Sequence, residues 1–348
     1  MIKNPAEFFG RSREIRKIYS RLDAPHPQSI SVVGERRIGK SSLLNYIYQA
    51  KNRRKQMQNY DNAIFVYLDF QREMDYDVAK FINFLFSMFS YESKHDSDYT
   101  KRENTLDELK RVVEELQERG KRMIILMDEF EAITKNEKFQ EHFFAYLRSL
   151  ANSYRVAYVT SSYEDLQRMC HNKDISDSPF FNIFSNLPLR PFTEDDAMEL
   201  ITVPSEAEGV PLEPHAKEIL ELAGRFPLFL QIACSAVFEF LLEHKDEALN
   251  WAQITKSFSD EVDQHYRSIW DRMEEPAREN LGRIASGKSV SRQYEFVNED
   301  LERRGYLVET PSGLAVCSTS FKNFVLKETG GGKGGKRFLG LFGRKPSS

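Results

Sequence analysis

Cysteine is scarce: Cys170, Cys234 and Cys317 are the only three in 348 residues. They lie far apart with no C-x-x-C, which excludes a disulfide framework and a cysteine zinc site of the usual spacing, and fits a reducing cytoplasm. Histidine is thin as well. Cys170 and His171 are neighbours, but His26, His95, His142, His215, His244 and His265 have no partner four residues away, so no protein-built zinc site is expected. Long apolar runs are missing too. The most apolar stretch, 226–242, is broken by Pro227, Gln231, Ser235 and Glu239, whereas a bilayer span needs about 20 mostly apolar residues; it predicts a buried helix. The opening MIKNPAEFFGRSREIRK carries charges on both sides of its two phenylalanines, and so lacks the apolar core of a signal peptide. Nor is there an excess of positive charge. With 49 Lys and Arg against 53 Asp and Glu, the net charge of −4 excludes a polycation that coats nucleic acid.

What is present suffices for a folded, multidomain chain: 41% of residues are apolar and 12% aromatic, and the length implies about two to three domains. No internal repeat is visible. Over residues 1–190, apolar runs at 29–33, 63–69, 123–127, 156–160 and 184–189 alternate with helical patterns. Several runs are solid with Ile, Val and Leu, as strands covered on both faces require, so the fold class is α/β, a parallel sheet flanked by helices. One crossover helix is well marked, with Thr105 and Glu108 as a capping box, a stripe of Leu106, Leu109, Val112, Val113 and Leu116, and Gly120 as its stop. Residues 191–255 read as an all-α lid: a helix capped by Thr193 running to Ile201, a proline-containing loop, a helix over 215–223, and a long helix opened by Pro227. Residues 256–328 read as two helices, a short helix over 297–304 capped by Gly305, and a hairpin around Pro-Ser-Gly, the order of a winged helix. The tail, 329–348, is rich in glycine with five basic residues, Lys333, Lys336, Arg337, Arg344 and Lys345, and no acid, a composition expected to be disordered.

The strongest chemical signal is Gly34, Glu35, Arg36, Arg37, Ile38, Gly39, Lys40, Ser41, a complete G-x-x-x-x-G-K-S (Walker A) between the strand SISVV and a helical SSLLNYIYQAK. Glycines let main-chain N–H groups, through Ser42 in the first helical turn, curl around a polyphosphate. The helix N-terminus adds partial positive charge, Lys40 reaches the β- and γ-phosphates, and the Ser41 hydroxyl ligates Mg²⁺. A second signal is RMIILMDEF, an apolar strand that delivers Asp128 and Glu129 at its carboxyl end (Walker B), the ligand-bearing edge of an open α/β sheet. Asp128 would hold Mg²⁺ through its water shell, and Glu129 would polarise the water that attacks the γ-phosphate. A third is the strand 156–160, which ends in Thr160, Ser161 and Ser162. Thr160, ahead of Ser161, is the candidate to sense the γ-phosphate; turn chemistry alone also places hydroxyls there.

Together, FFGR at 8–11, GERRIGKSSLL, ILMDEFE, VTSS and GRFP at 224–227 resemble the AAA+-related signal-transduction ATPases with numerous domains, the STAND class, over about residues 8–240 and more loosely beyond. That resemblance implies ATP and Mg²⁺ as cofactors and slow ATP hydrolysis that awaits a partner. It implies a nucleotide-dependent switch which rearranges an AAA+-like core, lid and winged helix. It places Gly10 and Arg11 beside the nucleotide and maps a lid Gly-x-Pro element onto Pro227, although Arg225-Phe226-Pro227 stands where Gly-x-Pro is expected. AAA+ relatives put a phosphate-sensing arginine at the start of a lid helix, which makes Arg225 a candidate. Neither Arg148 nor Arg155 is assignable as an arginine finger, since each equally suits a helix C-terminus.

Origin-recognition initiators share the order of core, lid and winged helix, so duplex DNA is the alternative partner. Charge disfavours it: residues 256–328 carry eleven basic against thirteen acidic side chains, whereas a duplex wants a basic face. The run KNRRK at 51–55 reads as solvating a helix end. Expected partners are separately encoded sensor or effector proteins and a nucleotide-dependent homo-oligomer. In the tail, FLGLF between basic pairs is expected to touch an anionic membrane or a partner's groove.

Overall fold

A computed structural model of the chain describes residues 2, 4, 7–70, 76–92, 98–171, 173–244, 247–288 and 294–330. The chain divides into two compact units, Met1–Glu208 with Phe226–Leu228, and Gly209–Arg225 with Phe229–Ser348.

In the first unit, α1 (Ser12–Leu22) precedes β1 (Ile30–Val33), α2 (Lys40–Tyr48), α3 (Ala50–Gln56), β2 (Ala63–Asp69), α4 (Val78–Glu92), α5 (Leu106–Glu118), β3 (Arg122–Asp128), α6 (Glu131–Thr134), α7 (Glu141–Ser153), β4 (Val156–Ser162), α8 (Lys173–Ser176), β5 (Ser185–Pro188) and α9 (Glu194–Ala207). The five strands form one sheet in the order β2-β3-β4-β1-β5, and every neighbouring pair is parallel. The parallel sheet with crossover helices expected from the apolar runs is thus the fold observed. Every residue of β3 and β4 is buried, which is why these segments read as continuous rather than alternating. Registers bring Val33 level with Ser162 and Asp69 level with Asp128, so the chemistry-bearing strand ends share one edge. One side of the sheet is sealed by a core that includes Phe81 and Phe86 of α4, Val112 of α5, Phe143 and Phe144 of α7, and Tyr158. Aromatic packing there is dense, with Phe139 and Phe143 ring centroids 4.8 Å apart.

At the opposite, amino edge, the side chain of Arg122 donates to the Leu22 and Ala24 carbonyls, 3.1 Å each. It thereby satisfies the last carbonyl of α1 and one just beyond it. Thr105 accepts the Glu108 N–H at 3.2 Å to start α5, but the Glu108 carboxylate turns to Arg102 and Arg111 instead of closing the box. The full capping box falls at Thr193 and Asp196, opening α9. That helix continues to Ala207 through Pro204, beyond the end expected at Ile201. Hydroxyls of Thr202 and Ser205 bond back to Met198 and Ile201 carbonyls around the proline. Within KNRRK, Asn52 is buried, and Arg53 pairs with Glu92 at 3.4 Å and covers the Phe65 ring; only part of the run is a solvated helix end.

The second unit holds α10 (Ala216–Ala223) and most of α11 (Pro227–Glu243), which Pro227 opens as expected, then α12 (Trp251–Trp270), α13 (Glu275–Ala285), α14 (Glu295–Arg304), the antiparallel hairpin of β6 (Leu307–Thr310) and β7 (Gly313–Val316), and α15 (Thr319–Glu328). It is mainly helical. Gly305 ends α14 with φ 87°, and α15, absent from the sequence reading, packs Phe321 against Tyr266, 5.0 Å between centroids. Residues 331–348, which include FLGLF and its flanking basic residues, lie outside the described residues. Among the described residues no helix is long and apolar enough to cross a membrane.

Candidate functional site

The loop between β1 and α2 is built for close approach. A Cβ on Gly34 would sit 2.7 Å from the Leu189 carbonyl oxygen, so only glycine fits there. Gly39 has φ 98° with open space around it, and Arg37 also takes a left-handed conformation at φ 67°. No side chain caps α2, and its first turn contains no acid. Its leading N–H groups, including those of Lys40, Ser41 and Ser42, therefore have no capping side chain, the arrangement that favours an anion. Arg36 and Arg37 are exposed and Ile38 buried. The Ser42 hydroxyl accepts the Ile2 N–H at 3.0 Å.

Lys40 is 5% exposed. Its ammonium donates to the Gly34 carbonyl at 2.9 Å and the Glu35 carbonyl at 3.1 Å. Burial lowers its pKa, while the charges of Glu129, Glu131, Asp128 and Glu35 work in the other direction. The one ammonium thus faces a strongly acidic strand end.

That strand end is held by its neighbours in the sheet. Tyr67 on β2 donates its hydroxyl to Asp128 Oδ2 at 2.7 Å, and Ser161 on β4 donates to Oδ1. The same Ser161 oxygen accepts the Glu129 N–H at 3.0 Å, and the Ser161 carbonyl accepts the Phe130 N–H at 2.9 Å. These bonds secure Glu129 at φ 56°, a conformation costly for any residue but glycine and one that recurs at functional sites. Thr160, next to Ser161, projects to the other face of β4 by strand alternation. It is fully buried, and its hydroxyl has no hydrogen-bond partner.

Gly10 and Arg11 lie against the same loop. The Arg11 guanidinium donates to the Ile38 carbonyl at 3.1 Å and covers the Phe192 ring at 4.7 Å. Its backbone N–H reaches Asp196 at 3.3 Å, and the Gly10 N–H reaches Glu199 at 3.1 Å. The N-terminal Gly-Arg element, the phosphate loop and α9 are thus bonded into one cluster. Arg225, by contrast, belongs to the second unit and is exposed; Pro227 groups with the first unit and is buried. The glycine just before them has its own explanation: Gly224 takes φ 70°, and a Cβ there would stand 2.8 Å from the Cys317 carbonyl oxygen.

Tyr67 and Glu131 had no place in the sequence reading, and Ser161 stood second to Thr160. Tyr67 is an ordinary aromatic in an apolar strand and gives no signal until β2 is known to flank β3. Glu131 could be noticed as a third carboxylate in DEFE, where charge is unexpected beside buried Phe130. It is 7% exposed, and neither carboxylate oxygen has a hydrogen-bond partner. Burial and then the Glu129 charge raise its pKa to about 7.

A divalent cation fits this arrangement. Among the described residues no group of three or more His, Cys, Asp or Glu side chains converges to cage a metal. A hydroxyl at Ser41 and one clamped carboxylate at Asp128 are the sparse oxygen set with which Mg²⁺ is usually held beside phosphates and water.

Residues 24–290 match the family described as Novel STAND NTPase 2. The chain is similar in structure to the Walker-type ATPase paby2304 of Pyrococcus abyssi, with a TM-score of 0.60 and 16% identity over 93% of this chain and 97% of that one. It is also similar to the ORC2 protein of Aeropyrum pernix in its ADP form, with a TM-score of 0.55 and 13% identity over 92% and 94% of the two chains. Cdc6p of Pyrobaculum aerophilum gives a TM-score of 0.50 and 14% identity over 91% and 94%. At such identities the likeness is one of fold, that of AAA+-type P-loop ATPases. No curated protein matches the chain.

Proposed function

The chain belongs to the Novel STAND NTPase 2 family, and on that premise we propose that it binds and hydrolyses Mg²⁺-ATP and uses the nucleotide as a conformational switch. The observation that carries this reading is the uncapped N-terminus of α2, with Lys40 buried beside it and under the charges of Glu129, Glu131 and Asp128. ATP rather than GTP follows from the family resemblance and from the lack of a guanine-reading N-K-x-D string.

Each residue then has a task. Amides of residues 34–42 cradle the phosphates, and the Lys40 ammonium exchanges the Gly34 and Glu35 carbonyls for β- and γ-phosphate oxygens. Phosphate charge also restores the protonated ammonium that burial disfavours. Mg²⁺, when bound, supplies positive charge that neutralises the phosphates; Ser41 and Asp128 would hold it. Tyr67 and Ser161 keep the Asp128 carboxylate in one orientation. Glu129, its backbone secured by Ser161, takes the proton of the attacking water. Ser161 also lies where hydrolysis would be felt, since it bonds both acids; Thr160 is a further hydroxyl near the same strand end.

Arg11 supports the switch. It ties the Ile38 carbonyl of the loop to Asp196 on α9, so a change in the loop pulls on the helix that leads out of the first unit. Nucleotide-dependent rearrangement of the lid and of a winged-helix module built from α13, α14, β6 and β7, together with assembly with a protein partner in the cytoplasm, completes the proposal. Gly10 and Pro227 keep their proposed places near the nucleotide. DNA binding is disfavoured further, because Arg303 and Arg304 on α14 both turn to Asp300. Calorimetry with ATP and Mg²⁺ should show saturable uptake that Lys40→Ala abolishes; no uptake, or uptake indifferent to that change, overturns the reading.

A further inference from the structure

The three carboxylates at the end of β3 are treated unequally by the fold. Asp128 has a hydroxyl on each oxygen. Glu129 is fixed through its main chain. Glu131, first residue of α6, is more than nine-tenths buried, yet both its oxygens lack a hydrogen-bond partner. Its neighbours are the Glu129 side chain, which meets it carboxyl to carboxyl, its own backbone N–H and Lys40, which places it at the same edge as the phosphate loop. A buried, unpaired carboxylate is among the costliest groups a fold can contain.

We propose that Glu131 is a positioning residue of the nucleotide site, an empty acceptor that takes hydrogen bonds from the ordered water carried by the divalent cation on the nucleotide. The chemistry matches: a hydrated cation presents water O–H donors, Asp128 already accepts one hydroxyl on each oxygen, from Tyr67 and Ser161, and Glu131, whose only carboxyl neighbour is another acid, Glu129, has acceptor capacity to spare. Glutamate at this position lowers the stability of the metal-free protein and returns that cost when the metal–nucleotide complex arrives. This inference rests on the proposed Mg²⁺-nucleotide site.

The test is Glu131→Gln, with Glu131→Met as a second variant, in the full chain. Mn²⁺ serves as the probe, titrated by electron paramagnetic resonance against protein with saturating ADP, and metal-free ADP affinity is measured alongside. Both variants are expected to melt higher than the parent without metal at pH 8, and to bind Mn²⁺ in the ADP complex about tenfold more weakly, the usual scale for a lost outer-shell partner. Metal-free ADP affinity should not fall, since the change removes a negative charge near the phosphates. Unaltered Mn²⁺ affinity, or melting temperatures that fall, would overturn the inference. Should the parent itself bind no ADP, the fault lies in the proposed nucleotide site.

Discussion

The two edges of one sheet treat buried polar groups in opposite ways. At the amino edge, Arg122 donates to the carbonyls of Leu22, the last residue of α1, and of Ala24 and stands 3.8 Å from Asp23, and Ser29 accepts the Tyr158 N–H at 3.1 Å. At the carboxyl edge, Glu131 and Thr160 are buried with polar atoms unpartnered, Glu129 holds a strained backbone, and Lys40 bonds main-chain oxygens instead of an acid. Arg122, Ser29, Lys40, Glu131 and Thr160 are all buried, so exposure does not explain the contrast. Unpartnered buried groups cost about 1–3 kcal/mol each; Tyr99 and Asn280 also carry such oxygens, but at the carboxyl edge they gather where the proposed ligand would complete them.

The sharpest way to break that contrast is to alter each edge and ask what is lost. Glu129→Gln keeps the shape of the carboxyl edge but removes a proton acceptor. Single-turnover hydrolysis should fall by about 10²- to 10⁴-fold with ATP affinity retained. Arg122→Met at the amino edge takes the donor from the Leu22 and Ala24 carbonyls. It should cost about 2–3 kcal/mol in urea unfolding without altering ATP affinity. If Glu129→Gln destabilises the protein as much as Arg122→Met does, the division between the edges fails.

A smaller effect sharpens the contrast through pH. Burial and the Glu129 charge lift Glu131 from an ordinary 4.5 to about 7, with Lys40 acting against them. Between those values the folded protein holds more protons than the unfolded chain, so metal-free stability falls as the pH rises through the window. Glu131→Gln lacks this loss. Its melting temperature should exceed the parent's by an amount that grows from pH 5 to pH 7.5, reaching about 4 °C for each kcal/mol involved. A constant gap would show that the Glu131 carboxyl titrates alike in both states.

How much of this was legible beforehand depended on whether the cause was local. The strands of the parallel sheet announce themselves because burial on both faces demands unbroken apolar residues, and the phosphate loop because glycine spacing is written in the chain. Pro227 and Gly305 marked their helix ends through backbone rules that act within a turn. The length of α9 was not legible, since Thr202 and Ser205 hydroxyls and tertiary packing outweigh Pro204. The ranking of Thr160 over Ser161 could not be settled from sequence either. Which hydroxyl faces Asp128 is decided by strand register, Val32 opposite Ser161 and Met127 opposite Thr160. Tyr67 was invisible for the same reason, being 61 residues from Asp128 in sequence.

Tyr67 also supplies the finest test of the edge comparison, because it is a satisfied group at the unsatisfied edge. Tyr67→Phe removes one hydroxyl and leaves the ring, so its packing 5.7 Å from Tyr48 is kept. Asp128 then retains only the Ser161 bond. A carboxylate that loses one of two orienting donors at a net cost of about 1 kcal/mol should show roughly fivefold weaker Mg²⁺ dependence of hydrolysis, since 1.4 kcal/mol is tenfold. ATP affinity without metal should stay the same. If metal dependence is untouched while the melting temperature drops, Tyr67 belongs with Arg122 as a stabilising group, and the boundary between the two behaviours runs between β2 and β3 instead of across the strands.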